Sequence, residues 1–216
     1  MTPTSILSRV RYQLVETTAA FWTDAELYMY MSDAESDINQ LVSCYELTTT
    51  AASVTATSGY TLPSDLISLT RVEYDGYPLK QIDQRDRYRL DQPGYGGTLT
   101  QGKPTHCWLY GTDMVYLWPT PDSAKTITYY YTAEPADIST ASTAFSVPQQ
   151  YHSAIQDYVL YRCFAKDQDQ AKAEWHKREY MQAVMDARTK EQRRRWAGGF
   201  PCVKSESHVT TFDGIV

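Results

Sequence analysis

Residues 102–135 read GKPTHCWLYGTDMVYLWPTPDSAKTITYYYTAEP, and the rest of the chain is best interpreted around them. They predict three successive strands, His106–Tyr110, Met114–Trp118 and 125–132. β-Branched and aromatic residues fill these runs, and Gly, Pro and Asp separate them. Pro135 ends the unit because proline has no amide to donate to a paired strand. The sequence therefore predicts an antiparallel β-module, and the patterns on either side of it are helical.

The helical patterns lie at the two ends of the chain. A short amphipathic helix is predicted over residues 5–17, and a longer one follows Thr23, whose side chain can accept the amide of Glu26. Beyond the module, Pro148 suits the start of a helix over residues 149–166. A last helix is predicted over residues 169–196, and Gly198 ends it.

The region between the helices carries further β signals. Residues 46–57 favour a strand or hairpin, and residues 67–74 alternate as a strand. Asp75 and Gly76 form a hairpin signal. Residues 81–91 indicate a short charged helix or an extended arm, and residues 92–102, with four glycines and a proline, a loop.

These elements predict an α+β fold. Residues 1–45 and 148–197 would form a four-helix bundle, and residues 46–147 an inserted antiparallel β-domain, as a small barrel or sandwich. Residues 198–216 show no helical or strand period. We expect them to be an extended C-terminal arm that becomes ordered on a partner.

Composition argues against several classes of protein. The net charge of −6 in 216 residues makes broad binding to nucleic acid unexpected. The four cysteines lack any CxxC spacing, so they indicate free thiols in a reducing compartment. No apolar run is long enough for a membrane helix, and the N-terminus lacks the apolar core of a signal peptide. We therefore expect a protein made in a cytoplasm.

Motifs for catalysis are missing. The sequence has no GxSxG, phosphate-binding loop, dinucleotide-binding or HExxH pattern. Its histidines are separate from one another, which is unlike the clustered ligands of zinc sites. We expect no catalytic, metal or cofactor site, and no enzyme. The four histidines are His106, His152, His176 and His208.

The aromatic residues of the module allow three interpretations. They form the core of a small sheet, an interface with neighbouring copies, or a sugar-stacking platform of a carbohydrate- or receptor-binding tail component. The basic residues Arg193, Arg194 and Arg195 allow three as well: helix capping, a nucleic-acid patch, or a contact with a partner's carboxylates.

The order of several short motifs carries a resemblance. The motifs are WTDAEL at 22–27, YTLPSD at 60–65, DGYPL at 75–79, GKP at 102–104, YLWPTP at 116–121, YYYTAEP at 129–135 and VPQQY at 147–151. In this order they resemble the head-to-tail adaptor (connector) proteins of tailed bacteriophages, especially the short-tailed podovirus kind, over about residues 1–196.

The resemblance implies a structural virion protein without a cofactor. It would form a ring, usually of twelve copies, between the portal and the tail nozzle, and DNA would pass through without specific binding. Assembly would take place in the host cytoplasm, with no membrane involved. The implied portal-binding residues are Arg193, Arg194, Arg195, Trp196, Phe200, Phe212, Ile215 and Val216. The implied contacts with the nozzle or a neighbouring subunit are Tyr77, Tyr95, Trp108, Tyr110, Tyr116 and Trp118.

Overall fold

The computed structural model describes residues 1–86, 101–140 and 144–196. Within them the chain is a mixed α and β protein with helices at both ends, as the sequence predicts. The helices are α1 (Pro3–Gln13), α2 (Asp24–Val42), α3 (His152–Lys166) and α4 (Gln170–Trp196), and a 3-10 turn, Gln149–Tyr151, precedes α3.

Helix α1 is displaced towards the N-terminus from its predicted range. Thr2 caps it, so it starts before residue 5, and it ends at Gln13 rather than at residue 17. Val15 then adopts a left-handed backbone with φ 56°. This conformation cannot continue a right-handed helix, so the predicted end was wrong.

Helix α2 begins as predicted. The Thr23 hydroxyl oxygen accepts the Glu26 amide at 3.2 Å, which satisfies one of the free donors of the first turn. Leu27, Met31 and Ile38 lie on one face and are fully buried. The helix ends where Ser43 turns left-handed, with φ 56°.

The helices share one hydrophobic core. Helix α3 contacts α1, α2 and α4, which places its buried face at the centre of this core. Buried members include Val10 of α1, Met31 of α2, Leu160 of α3 and Val184 of α4. Helices from the two ends of the chain therefore do pack together, while their arrangement as a four-helix bundle stays a prediction.

The strands build a second core from two four-stranded sheets. One sheet has the order β1 (Glu46–Ala52), β10 (Thr126–Ala133), β3 (Leu66–Tyr74), β4 (Tyr77–Pro78). The other has the order β2 (Gly59–Thr61), β8 (Met114–Trp118), β7 (His106–Tyr110), β5 (Lys80–Gln81). A short pair joins β6 (Gln101–Gly102) to β9 (Thr120–Pro121). Side chains from both larger sheets, such as Val72, Tyr129 and Leu117, belong to one buried cluster.

The structure contains the β7–β8 hairpin and the turn at Asp75 and Gly76 that the sequence predicts. Strands β7 and β8 have the predicted bounds and form an antiparallel hairpin. Asp75 and Gly76 both have positive φ, 53° and 76°, which is the two-residue hairpin geometry expected there.

The third predicted strand does not continue this hairpin. β10 lies in the other sheet, between β1 and β3, and runs antiparallel to both. Ile127, Tyr129 and Tyr131 of β10 point inward. This alternating burial is compatible with a place in either sheet, because both sheets cover the same core. The expectation of one three-stranded unit was therefore wrong.

Residues 81–91 are described only in part. Strand β5 ends at Gln81, and a 3-10 turn, Gln84–Asp86, follows. The remainder of the predicted arm, and all but the last two residues of the 92–102 loop, lie outside the described residues.

Candidate interaction surfaces and the joint between the cores

The last turn of α4 is fastened to the start of β1. Arg195 Nη2 donates to Glu46 Oε1 at 2.8 Å and also to the carbonyl of Ser43. Arg194 Nε donates to Glu191, and Arg194 Nη2 lies 3.8 Å from Glu46 Oε2. Two of the three predicted portal-binding arginines thus already have partners within this chain.

Glu191 belongs to the same joint between α4 and β1. Its carboxylate is buried, 3% exposed, and it accepts from the Tyr151 hydroxyl at 2.7 Å as well as from Arg194. A buried carboxylate needs such partners because its desolvation is costly. Burial, together with the hydrogen bond to Glu191, raises the pKa of Tyr151 well above its usual value.

Arg193 differs from its two neighbours. Its side chain is exposed, and no residue in the described ranges forms an ion pair with it. Trp196 is the last helical residue. The other predicted portal-binding residues, Phe200, Phe212, Ile215 and Val216, lie outside the described residues.

A second joint connects α2 to the end of β10. Asn39 is fully buried; its Nδ2 donates to the Ala133 carbonyl at 2.6 Å, and its Oδ1 accepts the Tyr45 amide at 2.8 Å. One turn earlier, the Ser36 hydroxyl donates to Glu134. One amide side chain of α2 thus satisfies two backbone groups that lie beside the β core and links the two cores.

The aromatic residues of β7 and β8 form cross-strand pairs. Trp108 stacks on Tyr116 with ring centroids 5.7 Å apart, and Tyr110 meets Tyr116 edge to face. His106 packs against Trp118 in the same way. Such pairs stabilise a sheet.

Exposure differs strongly within this aromatic set. Trp108 is only 5% exposed, so it offers neither a partner nor a sugar a free ring face. Tyr110 is 53% exposed, while Tyr116 and Trp118 are half-buried. Tyr77 is exposed, and Lys103 Nζ lies 3.1 Å from the centre of its ring. Tyr95 lies outside the described residues.

The connection between α1 and α2 is a feature that sequence reasoning missed. Glu16 Oε1 accepts the Phe21 amide at 2.9 Å. Arg11, 7% exposed, donates to the Trp22 carbonyl at 3.0 Å and to Asp24. The end of α1 and this loop present apolar side chains to solvent, namely Tyr12, Val15 and Phe21. No local motif marks this network, because its donors and acceptors are ordinary surface residue types.

The described residues hold neither a cluster of metal-ligating side chains nor an exposed thiol. No group of three metal-ligating side chains occurs among them. Cys44, Cys107 and Cys163 are buried, and burial raises the pKa of each thiol to about 12, which keeps the thiols protonated. Cys202 lies outside the described ranges.

Two further histidines, His176 and His152, pack against neighbouring residues of the helical core. His176 Nδ1 lies 3.1 Å from Asp157 Oδ1, but its ring stacks on Phe164 and is 8% exposed. His152 Nε2 is 2.9 Å from the Val147 carbonyl, and burial lowers its pKa. His208 lies beyond residue 196. Among the helices in the described part, none is long and apolar enough to cross a membrane.

A model of the SU10 adaptor protein family matches residues 1–201. The chain belongs to the SU10 adaptor protein family. The match covers both cores, so the family assignment applies to the helices and the sheets together. Family membership indicates a structural adaptor of a bacteriophage and a component of the virion. A search of curated proteins found no match.

Proposed function

We propose that this SU10 adaptor family member is a head-to-tail adaptor that forms a ring below the portal and joins it to the tail nozzle. The ring has twelve copies and surrounds the channel through which DNA leaves the head. The observation that carries the proposal is the family match over residues 1–201, which includes the helices, both sheets and the end of α4.

The charge of the chain suits a channel wall. It has 26 acidic and 20 basic residues, so the phosphate backbone of DNA meets net repulsion. A wall of this kind lets DNA slide past without holding it. The proposal therefore includes no specific binding of nucleic acid.

The portal contact lies at the end of α4 and in the arm beyond it. Arg193 is available because it is exposed and has no ion-pair partner in the described part of the chain. Arg194 and Arg195 act indirectly, since they fix α4 to β1. The arm supplies apolar side chains, with Phe200, Phe212, Ile215 and Val216 as the contacts.

The contacts with the nozzle or a neighbouring subunit lie on the sheets. Tyr77 and Tyr110 are exposed and supply large, partly apolar contact area. Tyr116 supports Tyr110 from the neighbouring strand, Trp108 holds Tyr116 in place through ring stacking, and Trp118 packs against His106 at the other end of the hairpin. Tyr95 belongs to this proposed set on sequence grounds alone.

The test is recruitment of the purified protein to the purified portal, followed by negative-stain imaging and co-sedimentation. We expect Arg193→Ala to weaken binding, because it removes the charge that is free to pair with a portal carboxylate. Lys190→Ala is the matched control, since Lys190 is exposed one turn earlier and its loss changes the net charge equally.

A second variant tests the arm. The triple change Phe212→Ser, Ile215→Ser, Val216→Ser should reduce co-sedimentation strongly, while Ser205→Ala with Ser207→Ala should leave it unchanged. If the triple variant and the serine control bind the portal equally well, the arm is not part of the portal contact. Absence of any ring or complex with the portal would refute the proposal itself.

A further inference from the structure

The helical core exposes two separate groups of large apolar side chains. One group lies at the end of α1 and in the loop that follows, and the other lies along α4. Grouped apolar side chains at a protein surface mark contacts with other molecules. The first group, which we call the loop patch, consists of Tyr12, Val15 and Phe21, which are 52–91% exposed. The second group, the α4 patch, consists of Trp175, Met181 and Met185, which are 39–58% exposed.

The two patches lie on opposite sides of the helical core. Helices α1 and α4 each pack against α2 and α3, but these two described helices make no substantial contact with each other. Buried Val10 and Tyr180 mark the faces of α1 and α4 that point into the core. Tyr12 and Met185 point away from it, since they are 80% and 58% exposed. One chain therefore cannot bring its own two patches together.

The loop patch is rigid before any partner binds. Glu16 Oε1 accepts the Phe21 amide at 2.9 Å and the Trp22 amide at 3.3 Å, and the Phe21 ring meets Trp22 edge to face. Val15 has φ 56°, which is unfavourable for a β-branched residue, and its exposure means that packing within the chain does not offset this strain. A preorganised apolar loop loses little conformational freedom on binding, which favours its use as a contact surface.

The α4 patch combines one fixed ring with adaptable side chains. The Trp175 ring meets His176 edge to face at 4.6 Å, and His176 is itself buried against Phe164. Met181 and Met185 are four residues apart, so they are neighbours on the helix surface. Methionine side chains adjust to the shape of an apolar partner. Such a surface suits the fixed side chains of the loop patch.

The proposed ring identifies the partner of both patches. In a ring, each copy presents one surface to the copy on its left and a different surface to the copy on its right. The portal and nozzle contacts proposed above lie at the end of α4 and on the sheets, so they leave both patches uncovered. We propose that the loop patch of one copy binds the α4 patch of the next copy. This inference rests on the proposed function, because it assigns the contact that would close the ring.

Sedimentation velocity on the full-length protein without portal, over a series of concentrations, tests this contact. We expect the wild-type protein to self-associate. The loop variant, Tyr12→Ser with Val15→Asn, should raise the Kd of self-association at least about 30-fold, a loss typical of central aromatic anchors. Asparagine tolerates the left-handed backbone at position 15, so this variant keeps the loop conformation. The α4 variant, Trp175→Gln with Met185→Gln, should raise the Kd similarly.

A mixture of the two variants tests whether the contact is head-to-tail. The loop variant retains an intact α4 patch, and the α4 variant retains an intact loop patch. The mixture should therefore form one-to-one dimers and nothing larger, whereas a contact with twofold symmetry would let one variant dimerise alone. The matched control, Met29→Gln with Leu41→Gln, removes two exposed apolar side chains from α2 and should associate as the wild type does.

Several results would overturn the inference. They are a wild-type protein that stays monomeric at every concentration, a variant that associates at wild-type strength or dimerises alone, a mixture that forms no dimer, and a control that weakens association as much as the patch variants. Failure of the adaptor role is distinguishable from these results. Protein that binds the portal but stays monomeric alone would refute only this contact, and protein that self-associates without binding the portal would refute only the adaptor role.

Discussion

Asn39→Ala should destabilise the protein by about 3 kcal/mol. The substitution leaves the Ala133 carbonyl and the Tyr45 amide without the partner that they share at 2.6 and 2.8 Å. Each polar group left unsatisfied in a buried site costs about 1–3 kcal/mol. Two groups at the lower to middle part of that range give the total, because Tyr45 is only partly buried and water can reach its amide.

Urea denaturation followed by circular dichroism and by tryptophan fluorescence measures this loss. For a protein of this size, about 3 kcal/mol corresponds to a decrease of roughly 9 °C in the melting temperature. Gln40→Ala is the matched control, because Gln40 is the next residue of α2 and is exposed. We expect the control to change the free energy of unfolding by less than about 0.5 kcal/mol.

The reasoning would be refuted if Asn39→Ala cost less than about 1 kcal/mol, a value typical of one solvent-exposed hydrogen bond. That result would mean that water replaces the amide and that the boundary between the two cores is wet. A noncoincident pair of transitions, by dichroism and by fluorescence, would separately show that the cores unfold one at a time.

Three further changes test single features. Val15→Asn should stabilise the protein by about 1 kcal/mol in thermal denaturation, because Val15 is 91% exposed yet held at φ 56°, which asparagine tolerates better; an unchanged melting temperature would contradict this. Gly76→Ala should cost about 1 kcal/mol through its φ of 76° alone, since a Cβ there meets no atom within 4 Å; a neutral effect would count against the hairpin geometry. Burial raises the pKa of Glu35, so the native state binds more protons than the unfolded state above pH 4.5. Glu35→Gln should therefore gain stability relative to the parent as pH rises from 4.5 to 8 in urea titrations, and a constant difference would show that Glu35 does not titrate.

Sequence patterns identified elements more reliably than partners. The bounds of β7 and β8, the Thr23 cap and the turn at Asp75 depend on residues a few positions apart, and each prediction was confirmed. The neighbours of β10 were missed because period-two burial reveals which face is inward but not which strand lies alongside.

The arginines at the end of α4 show the same limit. A run of cations in the last turn matches the helix dipole and also resembles a binding patch, so local reasoning cannot separate the two. The distinction depends on Glu46, which is remote in sequence and is brought beside Arg195 only by the packing of α4 against the start of β1. Buried Asn39 was likewise missed, because an asparagine on the polar side of a helical pattern looks solvated until β10 is placed against it.

The helical core has a consequence for synthesis on the ribosome. Ser32 accepts the Ile138 amide, Glu35 accepts the Val147 amide, and Tyr180 donates to Asp37. Helices α1 and α2 therefore emerge from the exit tunnel long before the segments that cover them. During translation the apolar faces of α1 and α2 are open to chaperones. The strands that follow α2 can pair as soon as β10 has been made.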